Sequence, residues 1–90
     1  MRITWDEAKR RSNLKKHGLD FQCVAQVFEG QTYTWEDRRY EYSERRFCTA
    51  GLLGDHAVVV VHTEFGSTIH VISFRKANRR ETHVYWERRY

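Results

Sequence analysis

At ninety residues the chain has room for one small core, so residues 1–90 are expected to form a single domain. With 31% charged residues and no proline, the composition excludes a proline-rich linker and a disordered tail. No apolar run approaches the roughly 20 residues of a membrane-spanning helix. MRITWDEAKRR lacks a signal peptide's apolar core, so a cytoplasmic protein with no membrane partner is expected.

The first residues, ITW, read as a short strand. Thr4 or Asp6 can cap the helical segment DEAKRRSNLKKH, which Gly18 closes behind the cations Lys15, Lys16 and His17. Its apolar members are Trp5, Ala8 and Leu14, and its exposed face is basic. Asp20 caps a second helix, FQCVAQVFEG, in which Phe21, Val24, Ala25 and Phe28 follow the spacing of a buried stripe. The pattern then turns to strands: TYTW, ERRFCTAGLL, AVVVVHTE and TIHVISFR. EDRRYEYSER forms a surface loop, and turns fall at Gly54–Asp55 and at Phe65 to Ser67. The unbroken apolar run Val58 to Val61 suits a central strand covered on both faces. Short connections favour antiparallel neighbours. The expected fold is therefore α+β, with two N-terminal helices, an antiparallel sheet of about four strands and a C-terminal helix from about Ala77.

Chemistry concentrates in IHVISFRKANRRETHVY. On a regular strand Ile69, Val71, Ser73 and Arg75 point one way, and His70, Ile72 and Phe74 the other. After Ala77 helical spacing puts Glu81, Val84, Tyr85 and Arg88 on one face. The charge is uneven as well: residues 1–68 hold 10 basic and 10 acidic side chains, whereas residues 69–90 hold 6 and 2. The whole excess is C-terminal, where a polyanion would dock. Cys23 and Cys48 fit neither a metal spacing nor a disulfide framework, so free thiols, no metal and no cofactor are expected.

The segment WDEAKRRSNLKKHGLDF, with Trp5, Asp6, Lys9, Asn13, Lys16, His17, Gly18 and Phe21, resembles the start of the BrnT family of type II toxin–antitoxin ribonuclease toxins. ERRF followed by a glycine and a valine-rich strand resembles the middle of that family, and ISFRKANRRETHVY its ending, so the likeness spans nearly the whole chain. It implies a RelE-like fold and a toxin that cleaves RNA and inhibits translation. It also implies a cognate BrnA-like antitoxin whose DNA-binding part brings the complex to operator DNA, so that the operon represses itself. One position departs from the pattern: His70 stands where the family usually carries arginine, which replaces a permanent charge by a titratable one.

RNA cleavage without a metal needs a base for the 2′-hydroxyl proton, an acid for the leaving 5′-oxygen and cations for the phosphorane. Arg75 and Arg46 are the candidate phosphate binders, because a guanidinium matches phosphate oxygens with paired hydrogen bonds. His17 and His70 are candidates for proton transfer. Glu81 and Tyr85 are candidates for base and acid, and Ser73 for a phosphate hydrogen bond. Lys15, Lys16, Lys76, Arg79 and Arg80 are the candidate RNA-binding cations. Each has a plainer alternative: Arg75 or Arg46 in an ion pair with Glu81 or Glu44, His17 as a helix cap, Glu81 as a brace for Arg75. Trp5, Trp35 and Trp86 suit base stacking or core packing. His62 and His70, if they face each other across the last hairpin, are two metal ligands short of a third. The competing function is a basic module that holds RNA or an acidic antitoxin without cutting, in which Arg79, Arg80 and Arg88 grip the partner.

Overall fold

A computed structural model describes residues 1–89. Its elements run β1 (Arg2–Trp5), α1 (Glu7–His17), a 3-10 turn (Phe21–Cys23), α2 (Val24–Glu29), β2 (Tyr33–Asp37), β3 (Arg46–Leu53), β4 (His56–Phe65), β5 (Thr68–Lys76) and α3 (Arg79–Arg88). The local signals set the helix ends. Asp6 accepts hydrogen bonds from the Ala8 and Lys9 amides at 2.9 and 3.2 Å and so caps α1. Gly18, at φ 72°, turns left-handed and donates to the Leu14 carbonyl at 2.8 Å. The last helix starts two residues later than expected, at Arg79. Asn78 and Glu81 each bond the other's backbone amide in a capping box there.

Two expectations about buried faces change. Leu14 does not anchor α1; it is 39% exposed, and the residue that α1 buries is Asn13. In the second helical segment Ala25 is exposed, and the stripe is Phe21, Val24 and Val27 with Phe28 at its margin. The opening 3-10 turn advances three residues per turn, which brings every third side chain to one line. That line sits close on the sheet. A Cβ at Gly51 of β3 would lie 2.7 Å from Val27 Cγ1, so glycine is what lets α2 approach.

The sheet has five strands, in the order β1-β5-β4-β3-β2, and it is mixed where about four antiparallel strands were expected. The addition is β1, which runs parallel to β5 from Arg2 opposite Thr68 to Trp5 opposite Val71. As the sequence suggests, Val58 to Val61 of β4 are covered on both faces. Val58 and Val60 pack with Phe21, Val24, Val27, Ile69, Val71 and Phe74; Val59 and Val61 pack with Cys48, Ala50 and Tyr85 of the α3 side. Each such valine contributes about 1.5–3 kcal/mol relative to an exposed one.

A bulge breaks the expected alternation of β5. Ser73 pairs with Val61 but Val71 pairs with His62, which leaves Ile72 as an extra residue. Ile69, Val71 and Phe74 therefore share the α2 side. His70, Ile72, Ser73 and Arg75 fall on the α3 side, so His70 is not opposite Ser73 and Arg75 but joins them. Among the described residues no helix is long and apolar enough to cross a membrane.

Candidate functional site

Beyond Val71 the outer edge of β5 has no strand neighbour among the described residues, because β1 ends at Trp5. Helix α1 covers it instead. The Asn13 side chain donates from Nδ2 to the Phe74 carbonyl at 2.8 Å and accepts at Oδ1 from the Phe74 amide at 3.1 Å. Residues three or four positions from Asn13 share its face of the helix. Lys9, Lys16 and His17 accordingly meet Ile72 and Ser73 around a shallow cleft of about 270 Å³, joined by Ser12, which lies four residues before Lys16. Among the described residues no carboxylate lines it. An imidazole, two ammonium groups and two serine hydroxyls thus share one open recess at the bulge.

The remaining candidates on β5 lie along the same face. His70 is exposed, with its Nδ1 2.9 Å from the hydroxyl of Thr4 on β1. It does not face His62: Val71 is opposite His62, and the two imidazoles occupy opposite sides of the sheet. His62 is fully buried against Phe28 and Phe47, with Nε2 2.8 Å from the Thr49 hydroxyl, and burial holds its pKa below the ordinary histidine value.

Arg75 opens into a second cleft, of about 320 Å³, beside the start of α3. Both of its terminal nitrogens bond Glu81, at 2.7 and 2.9 Å, and the pair is largely shielded from solvent. The Arg75 guanidinium holds the Glu81 carboxyl below the usual carboxylate range. A carboxylate so engaged, with one oxygen also accepting from the Asn78 amide, is a poor proton acceptor. Across the cleft Asp37 is held to about 2 by Arg39, which bonds both its oxygens at 3.0 and 3.1 Å. Between these pairs lie Trp35 and Cys48. Burial pushes the Cys48 thiol up to about 11, which makes it unreactive at neutral pH.

The fold thus gathers His17, Lys16 and Ser73 in one cleft, and Arg75, Glu81 and Arg80 in the other. Tyr85 lies beneath α3, 1% exposed, and donates its hydroxyl to the Gln31 carbonyl at 3.0 Å, so it is a packing residue. Arg46 lies apart, its guanidinium stacked 4.1 Å over the Tyr42 ring. Lys15, Lys76 and Arg79 are exposed outside both clefts. The sequence assigns no site role to Lys9, Ser12 or Asn13, and to Thr4 only that of a candidate helix cap, a place Asp6 takes. A signal for the first three was present, since Lys9, Ser12, Asn13, Lys16 and His17 recur at the spacing of one helix face.

A model of the family described as ribonuclease toxin, BrnT, of type II toxin–antitoxin systems matches residues 5–81. That span holds both clefts and includes all of α1 and β5. No curated protein matches the chain.

Proposed function

The chain belongs to this family of ribonuclease toxins, and on that premise we propose that it is an endoribonuclease whose reaction takes place in the α1–β5 cleft without a metal ion. The observation that carries the proposal is the meeting of His17, Lys9, Lys16 and Ser73 in a recess that no carboxylate of the described residues lines. RNA brings its own nucleophile. The 2′-hydroxyl oxygen attacks the adjacent phosphorus, and the bond to the 5′-oxygen breaks, leaving a 2′,3′-cyclic phosphate and a 5′-hydroxyl. His17 exchanges the proton with the reacting oxygens, which an imidazole does well near neutral pH. Lys9 and Lys16 offset the charge that grows on the phosphorane, and the Ser73 hydroxyl donates to a non-bridging oxygen. His70 and Arg75, on the same sheet face, extend the path of the RNA backbone. Arg75 contributes through donors that Glu81 leaves free.

The partner is an antitoxin of BrnA type, which covers this basic surface and carries the DNA-binding part through which the complex represses its operon. This reading rests on family membership. Co-expression with the neighbouring reading frame should restore growth, and the purified complex should shift an operator fragment that the toxin alone leaves unshifted.

The cleavage itself is tested with purified protein and single-stranded RNA in excess EDTA. Products bearing cyclic phosphate, lost in His17→Ala, are expected. RNA binding without cleavage would favour a binding module instead. Cleavage that stops on adding EDTA and returns with a divalent ion would replace the metal-free route.

A further inference from the structure

We propose that Asn13 is a positioning residue, which by clamping the open edge of β5 sets the roll of α1 and holds His17 at the cleft; the inference rests on assigning His17 to RNA cleavage. The amide does what a missing strand would do. It offers a donor and an acceptor side by side to the Phe74 carbonyl and amide, at 2.8 and 3.1 Å, as a neighbouring peptide group would. The second hydrogen on Nδ2 goes to the Leu19 carbonyl at 3.0 Å, just past the end of α1. With three bonds made, the amide has one permitted orientation, since a flip would set Oδ1 against two carbonyls and Nδ2 against an N–H.

Little else fixes how α1 is turned about its axis. It has no buried apolar stripe, and Leu14 is substantially exposed. Arg10 pairs with Asp20 at 3.0 Å, which ties the helix to the following turn but not to the sheet. Asn13 is the helix residue that is both buried and bonded to β5. His17 lies four residues on and on the same helix face, so the Asn13 clamp determines where its stiff ring points, whereas the long, flexible stems of Lys9 and Lys16 still reach the cleft if the helix rolls.

The first test is a double-mutant cycle on the rate of RNA cleavage. Asn13→Ala should slow the chemical step on the order of a hundredfold while leaving RNA affinity unchanged, as a small misplacement of a reacting group does. In a His17→Ala background the same change should cost nothing further. Losses that simply multiply would overturn the proposal, because a residue acting only on fold stability has no reason to depend on His17. The second test needs no activity. In wild-type protein the Phe74 amide should be protected from hydrogen exchange, and a nuclear Overhauser contact should join the His17 ring to Ser73. Asn13→Ala, or Asn13→Ser if the alanine variant does not fold, should lose both while other β4–β5 amides stay protected. A rapidly exchanging Phe74 amide in the wild type, or a folded variant that keeps both signals, would overturn the clamp. If His17→Ala cleaves normally, the assignment of the reaction fails, and the exchange and contact measurements still decide whether Asn13 positions the helix.

Discussion

Lys9, Lys16 and His17 line a cleft with no carboxylate among the described residues, whereas Arg75 and Arg39, in the cleft beside α3, are each gripped by one. Both recesses are rich in basic residues, yet their cations are in different states. The count along the chain points to residues 69–90, which hold the whole basic excess. The clefts shift the emphasis: Arg75 is bound to Glu81, while the cations at the α1–β5 recess come from the electrically balanced first part of the chain, and Lys76, Arg79, Arg80 and Arg88 stay exposed at the C-terminal end. A charge already satisfied inside the protein supports structure; one facing an open recess is available to a polyanion.

The largest expected difference between the clefts is in cleavage. His17→Ala should lower the rate by at least about a hundredfold, the usual range for loss of a proton-transfer group, measured as single-turnover RNA cleavage at neutral pH. Glu81→Ala should act instead on stability, by about 2 kcal/mol at neutral pH, since it removes half of a shielded ion pair and half of a capping box. Because Arg75 lowers the Glu81 pKa, this contribution is whole above the ordinary value of 4.5 and is lost as pH falls through the folded value. Chemical denaturation of wild type and variant should therefore converge in acid. Lys9→Gln combined with Lys16→Gln should weaken RNA binding about tenfold at low salt and reduce the salt slope by about 1.4. An unchanged slope would mean that RNA does not use that cleft.

The smallest effect concerns His62, which belongs to neither cleft. Its pKa is lowered by burial, so the unfolded chain takes up a proton first as pH falls. Stability should then drop below about pH 6.5, by at most about 1.4 kcal/mol per pH unit. His62→Gln should remove that slope from the denaturation curves.

What was legible in the sequence was local. Asp6, Gly18, Asp20, Gly54 and Gly66 mark helix starts and turns within a few residues of the backbone groups they serve, and the α+β class follows from the elements they separate. The clefts depend on relations with no local mark. Pairing of β1 with β5 joins residues 66 apart, as Thr4 and His70 show. The bulge at Ile72 is a mismatch between two strands, so β5 alone still reads as regular alternation, and His70 is assigned to the wrong face. Asn13 misleads for another reason. A polar residue in a basic helix reads as solvated, and only the unpaired edge of β5 gives it something to bond. Glu81 was legible as either a base or a brace, and the bidentate geometry favours the brace.

The division between the clefts is tested most directly by mapping a short, uncleavable 2′-O-methyl RNA on isotope-labelled protein by NMR. The largest shift changes are expected on Lys9, Lys16, His17 and Ser73, with Arg39 and Glu81 little moved. Changes concentrated at Arg39, Arg75, Arg80 and Glu81, with α1 silent, would contradict it.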